Sequence, residues 1–142
     1  MIAYFDTSAV MPLIVSEAGS DEALRHWQGA DRVASARIIY AEGRAALAQA
    51  ARLGRLTAEA LRAALERLEA IYDRLELVEV SDRLVREAGR LSEAHALRGY
   101  DSVHLAAAEL ARGNGGELVF VAGDDGLCRA AEALGLEVVR TS

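Results

Sequence analysis

Two short apolar runs in this chain end the same way. Ile2-Ala3-Tyr4-Phe5 runs into Asp6, and Leu118-Val119-Phe120-Val121-Ala122 runs into Gly123-Asp124-Asp125. Each run reads as a β-strand handing over to a helix, so both strands finish on a carboxylate. In a parallel sheet those charges would come to one edge. Like charges a few ångströms apart are costly unless a proton or a cation lies between them. The pattern therefore points to a divalent metal.

Two further acids belong with this pair. Glu42 is the only acid in the stretch Arg37-Ile38-Ile39-Tyr40-Ala41-Glu42-Gly43-Arg44-Ala45-Ala46-Leu47, a helical pattern otherwise apolar or basic. An exposed position would explain it without any function. Asp101, in Arg98-Gly99-Tyr100-Asp101-Ser102-Val103-His104-Leu105-Ala106, stands at a helix start, where its ordinary role is an N-cap. Each acid has a plain structural explanation by itself; the set of four is harder to explain that way.

The elements that must position these acids alternate along the chain. After the first strand a short helix is expected to stop near Glu17-Ala18-Gly19, glycine being a natural C-cap. Ser20-Asp21-Glu22 opens a second helix to about Gln28, and Arg32–Ser35 reads as a strand. A helix from Arg37 to about Leu53 ends at Gly54; Thr57 caps another to about Arg74. Leu77–Val80 reads as a strand, and Ser81-Asp82 caps a helix carrying Leu84, Ala88, Leu91 and His95, broken by Gly99. Asp101 begins the next helix, to about Arg112, before the Leu118 strand. A helix from about Asp125 to Leu134 and a strand at Glu137–Val139 close the chain. Five strands alternating with helices imply a parallel α/β sheet, whose ligands lie beyond the carboxyl ends of the strands.

Bulk properties agree with one compact domain over residues 1–142. That length can bury roughly 70% of the surface its unfolded chain exposes. No apolar run approaches the ~20 residues of a membrane span, and the N-terminus lacks a signal-peptide pattern. Cys128 is the only cysteine and is expected to pack in the core; with no internal disulfide possible, a cytoplasmic setting is expected. The formal charge of −6 falls to −2 once four clustered carboxylates are set aside, so it does not exclude a nucleic-acid partner. All 16 basic residues are arginine, a side chain suited to phosphate but also one that genome base composition favours.

The blocks Asp6-Thr7-Ser8-Ala9, Ala41-Glu42-Gly43-Arg44, Arg98 to Ala106, and Val121-Ala122-Gly123-Asp124-Asp125-Gly126-Leu127 with Ala130-Ala131 and Gly135-Leu136 together resemble the PIN-domain ribonucleases, and among them the VapC-type toxins. The resemblance spans nearly the whole chain. It implies a PIN-like three-layer α/β/α fold with a central parallel sheet of about five strands. It also implies an endoribonuclease that leaves a 5′-phosphate and a 3′-hydroxyl, acting as a homodimer and held inactive by a cognate antitoxin. Either Asp124 or Asp125 then serves as the fourth acid, with the spacing to Leu127 favouring Asp124.

The chemistry follows from the residue types. Carboxylate oxygen suits Mg²⁺ or Mn²⁺, and the three histidines (His26, His95 and His104) have no companions that would make a zinc site. Such a site hydrolyses RNA by in-line attack of a metal-activated water. Asp6, Asp101 and Asp124 are the expected ligands, directly or through water. Glu42 is expected as a ligand or as the group that orients the water. Ser8 either hydrogen-bonds this shell or simply starts a helix. His104, one turn after Asp101, is expected chiefly as a packing residue, and Trp27 likewise. Arg44, Arg98 and Tyr100 are candidate RNA contacts, and the apolar faces around Leu56 to Leu68 are candidate partner surfaces.

Other α/β enzymes fit less well. A phosphoacceptor receiver needs a lysine, and the chain has none. A haloacid-dehalogenase-like phosphatase needs a second aspartate where Ser8 stands. The Gly113 to Gly116 loop follows a helix and precedes a strand, the reverse of a dinucleotide fingerprint. A PIN-like module that binds RNA or a partner without cutting is the remaining alternative. A pure RNA-binding surface gains nothing from unneutralised carboxylates.

Overall fold

The computed structural model describes all residues, Met1 to Ser142. Its elements are β1 (Ile2–Phe5), α1 (Thr7–Ile14), α2 (Ser20–Gly29), β2 (Arg32–Ala36), α3 (Ile39–Arg52), α4 (Ala58–Arg74), β3 (Glu76–Val78), α5 (Asp82–His95), α6 (Gly99–Arg112), β4 (Leu118–Ala122), α7 (Asp125–Ala133) and β5 (Glu137–Arg140). The five strands form one all-parallel sheet in the order β3-β2-β1-β4-β5. A parallel sheet of this kind was the expected fold.

Alternation along the central strands builds two cores. In β1, Ala3 and Phe5 join the core formed with α1 to α4, while Tyr4 joins the core formed with α5 to α7. β4 divides in the same way, Val119 and Val121 to one side and Leu118, Phe120 and Ala122 to the other. All five β4 residues are buried, as a strand covered on both faces requires. Tyr4 stacks on Phe120 with ring centroids 5.6 Å apart, and Phe5 meets Trp27 edge-on at 5.4 Å. Aromatic pairs of this geometry add roughly 0.5–1.5 kcal/mol each beyond their burial. Trp27 is thus a packing residue, as expected, and Cys128 is fully buried.

This topology matters for the site. β1 is followed by crossovers that carry β2 and β3 to one side, whereas β4 and β5 lie on the other. The carboxyl ends of β1 and β4 are adjacent, with Phe5 in register with Val121. That is the crevice where open α/β sheets take their ligands.

Three boundaries depart from the sequence reading. α1 stops at Ile14 rather than near Gly19. Pro12 interrupts its hydrogen-bond ladder, and the Ser20 hydroxyl takes up the Pro12 carbonyl at 2.8 Å. Gly19 instead lies against the residue just after the last strand: a Cβ there would be 2.3 Å from the Thr141 carbonyl oxygen. β3 is shorter and earlier than Leu77–Val80 because Glu76 to Val78 pair with Ala34 to Ala36 of β2. α5 ends not at Gly99 but at Ala96, which caps it in the left-handed region (φ 54°); Gly99 already belongs to α6.

Candidate active site

Asp6 follows β1 directly and is only 4% exposed. It caps α1, accepting a hydrogen bond from the Ala9 amide at 3.1 Å. The Ser8 hydroxyl reaches both of its oxygens, at 2.7 and 2.9 Å, and itself accepts from the Gly123 amide at 2.7 Å. Ser8 therefore ties the end of β1 to the end of β4. Burial pushes the Asp6 carboxyl up to about 6, against the pull of His104 and of the Ser8 and Ala9 hydrogen bonds. A carboxylate kept this dry favours a proton or a cation beside it.

Glu42 lies in the first turn of α3, half-buried rather than on the surface. The bare Cα of the next residue, Gly43, lets Leu68 of α4 approach; a Cβ there would meet the Leu68 side chain at 3.0 Å. α3 is thus pressed onto α4 where Glu42 must be held. Two donors converge on its Oε1: the Thr7 hydroxyl at 2.8 Å and His104 Nε2 at 2.7 Å. His104 is 1% exposed, and its Nδ1 lies 2.8 Å from the Tyr4 hydroxyl. Nε2 faces an acceptor, so in the neutral ring it carries the hydrogen and Nδ1 accepts from Tyr4. Burial pushes the Tyr4 phenol well above its ordinary range, which keeps it a donor. Oε2 of Glu42 makes no hydrogen bond within the protein.

Asp101 and Asp124 form the other half. Asp101 is in the first turn of α6 but does not cap it, because Arg98 holds the cap position. Its side chain is 24% exposed, with Arg98 Nε 3.5 Å away. Burial and the neighbouring charge of Asp124 raise its carboxyl above the ordinary value, with Arg98 and His104 opposing. Asp124 caps α7 through Oδ1, which accepts from the Leu127 amide at 2.9 Å. Asp125 differs from both: its side chain is 65% exposed and is paired outward with Arg129 and Arg140, each at 3.2–3.3 Å. The structure therefore sets Asp124, not Asp125, against Asp101.

No three His, Cys, Asp or Glu side chains stand close enough to one another to ligate one ion directly. The four acids share one edge but each is held by its own protein partners. The donor chemistry nonetheless fits a hard divalent cation: the set is all oxygen, and Mg²⁺ usually keeps several waters and takes only one or two carboxylates.

A model of the PIN domain matches residues 3–133. The chain belongs to the PIN-domain family. Two curated Mycobacterium tuberculosis proteins, ribonuclease VapC45 of strain CDC 1551 / Oshkosh and ribonuclease VapC49 of strain H37Rv, are each 43% identical over 137 residues, covering 96% of this chain and 94% of theirs. Among solved structures, VapBC-5 of M. tuberculosis, a member of the VapBC toxin–antitoxin family, superposes with a TM-score of 0.65 at 26% identity, covering 98% of both chains. FitAcB of Neisseria gonorrhoeae superposes at 0.72 with 17% identity, covering 99% of this chain and 98% of that one, a likeness of fold.

Within this PIN domain, sequence reasoning missed the support beneath Glu42. His104 was expected as a packing residue; it packs, and it also donates to Glu42. Thr7 and Tyr4 were not singled out at all. The spacing Asp101–His104 carried a weak signal, since both fall on one helix face. Nothing local could have paired Thr7 with Glu42 or Tyr4 with His104. Arg44 instead sits over the Tyr40 ring at 5.7 Å, on the side of α3 that meets α4.

Proposed function

We propose that this PIN domain is a Mg²⁺- or Mn²⁺-dependent endoribonuclease and the toxin of a toxin–antitoxin pair. The observation that carries the reading is the gathering of Asp6, Glu42, Asp101 and Asp124 at the carboxyl edge of β1 and β4, in a chain 43% identical to named ribonucleases. Asp6, Asp101 and Asp124 hold the metal, directly or through water, and Ser8 orients Asp6 through its hydroxyl. When bound there, the cation supplies an activated water and positive charge beside the phosphate.

The chain's own groups do the rest. Thr7 and His104 fix Glu42 by one oxygen and leave the other to accept a hydrogen from the attacking water. The mutual repulsion of Asp101 and Asp124 is relieved by a cation, which makes that half the more adaptable one. Products carry a 5′-phosphate and a 3′-hydroxyl. The protein acts in the cytoplasm as a homodimer of single-domain chains, silenced by a small cognate antitoxin. No helix is long and apolar enough to cross a membrane.

The test is incubation of antitoxin-free protein with a mixed cellular RNA pool, with Mg²⁺ or Mn²⁺ and with EDTA, beside Asp6→Asn. Discrete metal-dependent fragments, absent from the variant, are expected. A folded protein that neither cuts RNA nor binds metal would overturn the reading in favour of a non-catalytic binding module.

A further inference from the structure

One cavity differs from the other principal cavities in its charge. The groove between α5 and α6 is lined by Glu87 and Glu109, and the two cavities beside α1 both include Glu17. The cleft at the β3 edge includes Glu76. The remaining cavity, about 320 Å³, is lined by His95, Ala96, Leu97, Gly126, Arg129 and Ala130. Its only ionisable groups are a histidine and an arginine. On a chain of net charge −6, that is an unusual place to find no acid.

Its position is as informative as its charge. It opens between the C-terminal end of α5 and the first two turns of α7. Gly126 stands two residues after Asp124, and a Cβ there would lie 3.4 Å from Asp124 Oδ1. On the opposite wall, Leu97 precedes Arg98, whose guanidinium is 3.5 Å from Asp101. The two walls of the cavity therefore run on into the segments that carry Asp101 and Asp124. Ala96 turns the chain there in the left-handed conformation, and only Ala96, Leu97 and Arg98 separate α5 from α6.

We infer that this cavity is the subsite for a nucleotide of the RNA substrate next to the scissile phosphate. The inference rests on the ribonuclease reading above. Small-ligand pockets run from roughly 300 Å³ upward, so the space suits a single nucleotide and not a folded duplex. Arg129 supplies a planar fork for a phosphate, His95 a second donor, and Ala96, Leu97 and Ala130 apolar walls for a base. Arg129 now pairs with Asp125 at 3.3 Å, with both side chains mostly exposed. Such a surface pair is weak, so exchanging the carboxylate for an RNA phosphate costs little. The Arg129 charge also offsets the repulsion that the site's own carboxylates exert on an approaching strand.

The experiment compares Arg129→Ala, Arg129→Lys and His95→Ala with the parent protein. Arg86→Ala is the control for bulk charge, since Arg86 is an exposed arginine of α5 that pairs with Asp82. Cleavage kinetics and sequenced 5′ ends are read on the same RNA. Arg129→Ala is expected to raise KM about tenfold with kcat within twofold, the loss of one charge-assisted contact. The nucleotide preference beside the cut is expected to weaken, with Arg129→Lys intermediate and Arg86→Ala unchanged. An unchanged KM and cut map in both alanine variants would overturn the inference, as would an equal effect of Arg86→Ala. If the parent neither cuts RNA nor binds metal, the ribonuclease reading fails separately. The subsite is then judged by binding of labelled single-stranded RNA to Asp6→Asn protein with and without Arg129→Ala, where equal affinity refutes it.

Discussion

The two halves of the acidic edge are built on opposite plans. Asp6 is buried and Glu42 half-buried, and each is pinned by two hydrogen-bond donors: Ser8 and Ala9 on one, Thr7 and His104 on the other. Asp101 and Asp124 repel one another; Asp124 is held by one amide, and Asp101, about as exposed as Glu42, has only a loose arginine nearby. The first half is set before any ligand arrives; the second keeps freedom to adjust. In the proposed ribonuclease, a fixed half beside an adjustable half would suit a site that has to hold a cation and a changing phosphate together.

The strongest way to break this contrast is to neutralise the buried carboxylate. Asp6→Asn is expected to lower RNA cleavage at least about 10³-fold, measured as initial rate in Mn²⁺. It should also stabilise the metal-free fold at neutral pH. Burial raises the Asp6 carboxyl from 3.8 to about 6, so the folded state favours the protonated form. Below pH 4 the group is protonated in both folded and unfolded chains and costs nothing. Between about pH 4 and 6 the unfolded chain has lost the proton and the folded one has not, so stability falls as pH rises. Above pH 6 the full penalty, on the order of 3 kcal/mol, is in place. Urea unfolding in EDTA should therefore show Asp6→Asn overtaking the parent across that window. A constant gap from pH 4 to 7.5 would remove burial as the cause.

Asp101→Asn tests the other half. Cleavage is expected to fall on the order of 10²-fold or more, while stability changes by less than about 1 kcal/mol, because the loss of charge relieves Asp124 at a partly exposed position. His104→Ala sharpens the contrast from below Glu42. It leaves the Tyr4 and Glu42 hydrogen bonds unmade and a void in the core, so a stability loss of about 2–4 kcal/mol is expected with a 10- to 100-fold loss of activity or metal affinity. Thr7→Val removes only one of the two donors, and its effect on cleavage should be smaller than that of His104→Ala in the same assay. Smallest of all is Asp125→Asn. Its partners are surface arginines, so stability should stay within about 0.5 kcal/mol and cleavage near the parent rate. A large loss there would move the fourth-acid role from Asp124 to Asp125.

How much of this could be read from the chain depended on range. β1 and β4 were legible because each is a short apolar run closed by Gly or Asp, and the N-caps Thr57 and Ser81 have the side chains that caps require. The four acids were legible because carboxylates stand where strands end and helices begin. What stayed hidden was set by contacts across the fold. α1 was drawn too long because neither the hydrogen bond from Ser20 to Pro12 nor the approach of Gly19 to Thr141 has a local signature. The helix-capping alternative for Asp101 fails because Arg98 occupies the cap by backbone conformation alone. The pairs Thr7–Glu42 and Tyr4–His104, 35 and 100 residues apart in sequence, exist only once the sheet has formed.

The central pairing of β1 with β4 also imposes an order in time. Asp6 is made more than a hundred residues before the strand that completes its edge and the Gly123 amide that grips Ser8. A growing chain that has not yet emitted Leu118 holds three of the four acids and nowhere to assemble them. Until β4 has been made, the carboxyl edge of β1 has no neighbour on that side, and the site stays open.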